Sequence, residues 1–537
     1  MSEGGAQDEF SDAECRALEP YFTNLDRPVF ALRNLPEVVK AALFARYSRS
    51  PKSLRRLFLD EFLDGELAGE TAAVGTQRSE RLLQRVLSEY GDDSVAQLGG
   101  AHIAVEGASN LLTKVLEWGR LMAYLEQSTR YIPYTTKDGG AWRYVVPVEL
   151  ADTPLAARYR RCLDGAFETY AGWINPAVDY FENLSPRPDG VSAGVYKATI
   201  RAKALDALRG MLPAATRSNL GIFGSGQAFE QLILRMQAHP LAEARECAAA
   251  MLVELREVIP AFLTRVDRAD RGGVWSEYFA DTRSAVEAVA ERVLAAVAAD
   301  QRPLVTLTDY DPRGEEKVVA AALYAVSGLA DDQLQSRVAA MSDRDRADVL
   351  CAYVGERRNR RHRPGRAFER TGYRFDVLAD YGAFRDLQRH RLLTLEWQRL
   401  VPDHGFVTSP VIAAIGADSD WARVMSECAE VYAAIAAAGH RDAASYVLPM
   451  AYRIRFYMEM NAREAMHVIE LRTTPQGHPA YREVCQEMHH AIRDVAGHRA
   501  IAAAMRFVDH SGGESGRLDA ERGGEAKRVA AEATGRS

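Results

Sequence analysis

The stretch EWGRLMAYLEQSTRYIPY, residues 117–134, is the most informative segment of the first half of the chain, and LADYGAFRDLQRHRLLTLEWQRL, residues 378–400, carries the motif QRHR of the second. In the first, Glu126, Gln127, Ser128, Arg130 and Tyr131 follow SNLLTKVLEWGRLMAYLEQ, whose apolar spacing predicts a helix. The cluster is therefore expected where that helix ends or bends. A serine hydroxyl beside an arginine fork suits a phosphate dianion. The same residues also read as a helix end capped by Ser128 with surface ion pairs. In the second stretch, Arg389, His390 and Arg391 are expected on a helix, fanned about 100° apart across a broad face. Two cations and an imidazole so placed can grip a pyrophosphate and lie along a flat ring, or they form a solvated basic face. The run RRNRRHR, residues 357–363, is more basic still and reads as an exposed loop before Pro364.

Outward from these stretches the chain is dominated by amphipathic helix rich in Ala, Leu, Arg and Glu, for example over 242–264, 281–299 and 421–438. Short strand-like runs precede helices, as at 28–32 and 304–307. Three matches occur in the same order in both halves. EVVKAALFA at 37–45 resembles KVVAAALYA at 317–325, Leu212-Pro213 matches Leu448-Pro449, and RECAAAM at 245–251 resembles REVCQEM at 482–488. Ordered matches with drifting offsets point to a divergent duplication. An extra stretch falls near 175–195, where ENLSPRPDG reads as loop. The division expected is an N-terminal extension over 1–26, repeats over 27–300 and 301–510, and a disordered tail over 511–537 that has almost no large apolar residues.

Composition narrows the function. The chain has 537 residues, 47% hydrophobic and 26% charged, enough for several packed domains. Its net charge of -7 gives no global excess of basic groups to draw in nucleic acid, so anionic ligands need local arginine clusters. No apolar run is long enough to span a membrane, and the first thirty residues lack the apolar core of a secretory signal. The six cysteines are dispersed, with no CxxC pair. Reduced thiols in a cytoplasm are expected, without a disulfide framework or metal site.

YLEQSTRY and QRHR together resemble two fragments of one signature, that of flavin-dependent thymidylate synthases (the ThyX family), which reads R-H-R-x-x-S followed by S-x-R-Y. In the first half the RHR position is Trp118-Gly119-Arg120, while Glu126, Ser128, Arg130 and Tyr131 survive. In the second half Arg389, His390 and Arg391 survive, and the S-x-R-Y element has decayed to Trp397, Gln398, Arg399 and Leu400. The family's upstream G-H-E-S-V-x-E-H resembles GDDSVAQL, which keeps Gly91, Ser94 and Val95 but has Asp92 for the first histidine. In the second half only GRAFER, with Glu369, stands there. The A-R-x-x-L-P element is similar to LRGMLP with Arg209, whereas the second half has Ser445 in that place. The N-A-R helix ending in L-R resembles NAREAMHVIELR, with Asn461, Arg463, His467 and Arg472. The first half keeps only Arg235 there.

The losses are complementary. In the family each site is shared between subunits of a homotetramer, one giving RHR, N-A-R and the L-R arginine, its neighbour giving S-x-R-Y and the A-R-x-x-L-P arginine. Here the second half keeps the first set and the first half keeps the second. The resemblance implies an α+β, helix-rich fold of two fused repeats, each with a small antiparallel sheet packed by long helices. It implies one intact composite site, and a homodimer that mimics the tetramer. It also implies an activity, conversion of dUMP to dTMP with FAD, methylenetetrahydrofolate and NADPH. Arg130 and Arg209, with Ser128 and Gln127, would hold the 5′-phosphate. Arg472 would stabilise the pyrimidine anion as the catalytic group. Arg389, His390, Arg391, Asn461, Arg463, His467 and Ser94 would position the flavin, and Glu126 would touch both ligands. Asp386 stands where the family has a glutamine near the pyrimidine, which leaves open a different base. Two other readings remain at this point: a non-catalytic flavin- or nucleotide-binding relative, and a scaffold or nucleic-acid-binding protein that uses Arg357–Arg363, against which the mild acidity argues.

Overall fold

The computed structural model describes residues 10–27, 30–47, 50, 52–63, 97–512 and 522–523. The chain is α+β and helix-rich, with two small antiparallel sheets. It divides into two compact units, one of residues 1–106, 119–126 and 219–297, the other of 107–118, 127–218 and 298–537.

The first unit carries most of a three-stranded sheet, β1 (Gly100–Ser109), β2 (Met122–Glu126) and β3 (Arg217–Ser225), in the order β1-β3-β2. β2 occupies part of the stretch expected as helix. Its residues pair antiparallel with β3 from Met122 opposite Gly224 to Glu126 opposite Leu220. Alternation decides the outcome: Met122 and Glu126 are buried while Leu125 points outward at an edge, a period of two that a helix reading misses. The preceding helix is only Asn110–Leu116. The N-terminal extension is structured where it is described. Helix Asp12–Leu18 opens with a Ser11–Glu14 capping box, and Phe22 packs edge-on against Phe58 at 5.5 Å. The run at 28–32 forms no strand among its described residues. Leu32 makes a single bridge to Phe22, and residues 28 and 29 lie outside the described residues.

The second unit carries a four-stranded sheet, β4 (Val305–Tyr310), β5 (Gly372–Asp380), β6 (Thr394–Trp397) and β7 (Arg453–Asn461), in the order β4-β5-β7-β6. β5 and β7 alternate buried and half-exposed residues, and their register runs unbroken from Gly372 opposite Asn461 to Asp380 opposite Arg453. Helix Pro479–Asp494 packs on β4 and β5 and buries Tyr481, Val484, Cys485 and Met488. The long helix Leu155–Leu184 packs against Ala193–Leu208 and Asp418–Ala437. It ends at Leu184, and the segment read as loop, ENLSPRPDG over 182–190, is non-helical from Ser185 onward. Cys162 and Cys428, remote in sequence, meet as buried free thiols at 3.5 Å. Among the described residues no helix is long and apolar enough to cross a membrane.

One local device recurs four times. β1, β3, β5 and β7 each end in a residue whose side chain caps the helix that follows at once: Ser109, Ser225, Asp380 and Asn461. The order β1-β3-β2 is matched by β5-β7-β6. Within the second unit the two Leu-Pro segments also bond each other reciprocally. The amide of Ala214 donates to Leu448 O and that of Met450 to Leu212 O, at 2.8 and 2.9 Å. Likewise Ala215 donates to Tyr446 O and Ala451 to Gly210 O. Each partner lies 236 residues beyond its counterpart (212 to 448, 214 to 450), so residue i meets j as j meets i. That is the contact pattern of a two-fold axis, here within one chain.

Candidate functional site: an arginine cluster closed by two carboxylates

Asp386 and Arg389 lie at the end of helix Tyr381–Leu387, which Asp380 caps at its start. The structure corrects the expectation for QRHR. The helix stops at Leu387, Gln388 closes it through a bond from its amide to Phe384 O, and Arg389 to Arg391 lie in the turn beyond. The three side chains therefore diverge. Arg389 donates to Asp386 Oδ1 at 2.5 Å, His390 is buried, and Arg391 is exposed.

Asp386 gathers residues from both sequence halves within the second unit. Arg209 Nη1 reaches Asp386 Oδ2 at 3.4 Å, and Arg472 Nη1 lies 4.0 Å from Oδ1. Arg130 is held separately by a two-pronged pair, Nε and Nη2 to the two oxygens of Asp206 at 2.7 Å each. Its Nη1 donates to the hydroxyl of Tyr481 at 3.1 Å. Burial alone would raise the Asp386 carboxyl, but Arg389, Arg209, Arg472 and Arg130 hold it well below the usual carboxylate range. Asp206 is likewise kept ionised against burial by Arg130. Arg130, Arg209, Arg389 and Arg472 thus gather about Asp206 and Asp386, with buried Asp380 also acting on Arg209, in a largely buried charged cluster. Next to them His478 is neutral, its pKa lowered to about 3 by burial and by Arg209.

A second group adjoins the first through Arg472, whose Nε donates to His390 Nε2 at 2.9 Å. Burial and then Arg472 push the His390 pKa well down, so the ring is neutral and accepts at Nε2. The other nitrogen lies 3.9 Å from Glu464. His467 stands edge-on to His390 with centroids 5.7 Å apart, its pKa lowered to about 4 by burial and by Arg363. Burial raises the Glu464 carboxyl to about 7. His390, Glu464 and His467 have ligand atoms within 4.8 Å of one another. Arg363, Arg391, Arg463 and Arg472 all act on these groups, so the local field opposes a cation and favours an anion or a neutral ring.

The remaining expected residues divide. Ser128 already accepts from the amide of Arg130 at 3.2 Å, a local turn bond. Gln127 receives a bond from Ser218 Oγ on its carbonyl. Asn461 caps its helix by accepting from the amide of Glu464, and Arg463 donates to Pro364 O and to Glu369. Glu126 is buried at the end of β2 in the first unit. Ser94 and Asp92 lie outside the described residues. The basic run at 357–363 is not uniformly exposed. Arg357 is buried in a two-pronged pair with Glu470 at 2.6 and 2.7 Å and also donates to Ala504 O. It is a structural tie, because a buried arginine persists only when its donors are matched. Sequence reading missed Asp206, Tyr481 and His478. A signal was present for the first: Asp206 precedes Arg209 by three residues, as Asp386 precedes Arg389.

A cavity of about 700 Å³ adjoins the cluster, sharing Arg209, Asp206 and His478 as wall and lined further by Phe181, Lys203 and Trp421.

The arginine cluster and the neutral imidazoles of His390, His467 and His478 thus lie side by side. The chain belongs to the thymidylate synthase complementing protein family, whose model matches it twice, over residues 37–261 and 306–497. It is 38% identical over 526 residues to a UPF0159 protein of Chlamydia pneumoniae, covering 96% of this chain and 98% of that one. To a UPF0159 protein of Thermoplasma acidophilum it is 30% identical over 508 residues, 90% of this chain and 97% of the other. Among solved structures, a UMP/dUMP methylase PolB from Streptomyces cacaoi bound with 5-Br dUMP has 21% identity and a TM-score of 0.30, over 37% of this chain and 94% of that chain.

Proposed function

We propose that the chain methylates a uridine-type nucleotide, dUMP to dTMP, with methylenetetrahydrofolate as one-carbon donor, FAD as the flavin and NADPH as its reductant, at one composite site per chain. The observation that carries this reading is the convergence of Arg130 and Arg209 from the first half with Asp386, Arg389 and Arg472 from the second. Arg130 and Arg209 bind the phosphate, and Tyr481 orients the Arg130 fork. Arg472, fixed by its bond to His390, lies where a guanidinium stabilises negative charge on the pyrimidine as N3 loses its proton. That stabilisation makes C5 the nucleophilic carbon.

The residues around His390 fit a flavin: two neutral imidazoles offer ring faces, and Arg363, Arg391 and Arg463 offer charge for a pyrophosphate. When bound, the reduced flavin supplies the hydride equivalents that complete the methyl group. His390, His467, Arg391, Asn461 and Arg463 would hold it.

The mirror position favours one site rather than two. Where the first half has Trp118 in place of Arg389, its indole packs edge-on against Trp397 at 5.7 Å and donates to Leu395 O. A buried pair, Lys114 with Glu117, lies beside it in sequence. That position is filled by side chains. Asp386, ionised among four arginines, favours a second reading in which a different pyrimidine nucleotide is the substrate.

The test is a methylation assay with the full chain loaded with FAD and supplied with methylenetetrahydrofolate, NADPH and dUMP. Formation of dTMP is expected. Soluble, flavin-loaded protein that leaves dUMP, UMP and dCMP unchanged refutes the reading.

A further inference from the structure

Helix Val274–Leu294 of the first unit lies between the two family matches, which end at residue 261 and resume at 306, so it belongs to neither repeat. It is about 30 Å long, yet none of its 21 residues is buried. It packs on helix Gly226–Gln237, where the Ser276 hydroxyl lies 3.3 Å from Leu234 O and 3.1 Å from Gln237 Oε1. In water a helix owes most of its stability to an apolar face buried against a neighbour. This one shows such a face to solvent. Trp275, Tyr278, Val286, Val289 and Val293 are 49–68% exposed. With Thr282, and with Val297 in the turn beyond, they follow steps of 3, 4, 4, 3, 4 and 4 residues. That is an eleven-residue repeat, which keeps a nearly straight stripe on an α-helix.

The edges of the stripe carry charges that complement themselves. At about 100° per residue, Asp281 and Arg292 fall along one edge and Arg283 and Glu287 along the other, while Glu277 and Glu291 point away. None of the four edge residues has an ion-pair partner among the described residues. A second copy laid antiparallel, with Val286 opposite its counterpart, sets Tyr278 against Leu294, Phe279 against Val293 and Trp275 against Val297. Asp281 then comes within one residue of Arg292 of the second copy, and Arg283 within two residues of its Glu287. Each pairing occurs twice, as a two-fold axis requires. Four acidic residues against two basic ones on the helix make an anionic lipid surface an unsuitable cover.

We propose that this helix is a self-association surface, through which two copies of the chain pair antiparallel about a two-fold axis at Val286. The contact lies outside both family matches, so it is distinct from the subunit contacts that the resemblance implies and independent of the methylation reading.

Sedimentation equilibrium of the full chain over a range of concentrations tests this. The parent should show a self-association step that Val289→Glu, a charge set in the stripe, weakens about 100-fold or more. Asp281→Arg and Arg292→Asp should each weaken it about tenfold, because each brings like charges together at two places. The double variant should return to within about threefold of the parent. Residues 281 and 292 are about 16 Å apart along one helix, too far to pair within a chain, so this rescue reads contact between copies. Thermal melts of all variants should match the parent, since the three positions are exposed, and they report that the variants fold. The proposal is overturned if the parent has no association step that Val289→Glu weakens, as when another segment of the chain or a different protein covers the stripe. It is equally overturned if the double variant associates no better than the single ones. The readout is mass and not turnover, so failure here leaves the methylation reading untouched.

Discussion

Replacing Asp386 with asparagine keeps the side-chain shape and removes the charge at the centre of the cluster. In the parent, Asp386 faces Arg389 at 2.5 Å, Arg209 at 3.4 Å and Arg472 at 4.0 Å. At an effective dielectric of about 20, a pair at 4 Å is attracted by about 4 kcal/mol before desolvation. Desolvation of the buried carboxylate offsets several kcal/mol of this. Removing one partner of such a buried network costs about 3–5 kcal/mol, because the other charges stay buried without compensation. Here the residual charges are positive, so an oxyanion replaces what was lost. Inorganic phosphate at about 100 times its Kd should restore about 2.7 kcal/mol to Asp386→Asn. The parent should gain less, because Asp386 already occupies its arginines. The assay is urea unfolding followed by tryptophan fluorescence, with phosphate against chloride at equal ionic strength. A variant within about 1 kcal/mol of the parent, or an equal gain from phosphate in both, would refute the reasoning.

Arg399 pairs with Asp442 on the surface at 2.9 Å, so Arg399→Ala should change stability by less than about 1 kcal/mol and leave methylation within about twofold. Arg130→Ala and Arg472→Ala should each lower turnover by about 100-fold or more; steady-state rates on the three proteins decide this. Arg357→Ala should cost about 3–5 kcal/mol, since its partner Glu470 is 1% exposed, whereas Arg361→Ala on the same loop should cost almost nothing in a thermal melt. Glu464 gives a pH signature. Its acid is raised from 4.5 to about 7 by burial, so below pH 4.5 both folded and unfolded forms are protonated and no difference arises. As pH rises to 7 the unfolded chain ionises first and folded stability falls. Above 7 the penalty is complete, up to about 3 kcal/mol. Glu464→Gln should therefore gain stability relative to the parent between pH 5 and pH 8, and parallel pH profiles would count against it.

The duplication was legible because three matches kept their order, and the Leu-Pro match fell on the segments that bond reciprocally at 214–215 and 450–451. Arg130, Arg209, Arg389 and Arg472, singled out in the sequence, lie about Asp206 and Asp386. Local form was less so. Alternation over 122–126 was hidden in a longer run with helical spacing, because Trp118, Leu121 and Leu125 fall at i, i+3 and i+7. The helix before QRHR ends at Leu387 without a glycine or proline to mark it. Arg357 looked solvated because five basic residues surround it, and only its distant partner Glu470 explains its burial. Asp206 and Tyr481 were missed for the same reason: what they do depends on Arg130, 76 and 351 residues away.

The central claim is that each chain has one site built from both halves. Equilibrium dialysis with labelled dUMP and the flavin-loaded protein measures this directly. The account predicts one nucleotide per chain, lost in Arg130→Ala and equally in Arg472→Ala. Two nucleotides per chain, or one that survives either substitution undiminished, would contradict it.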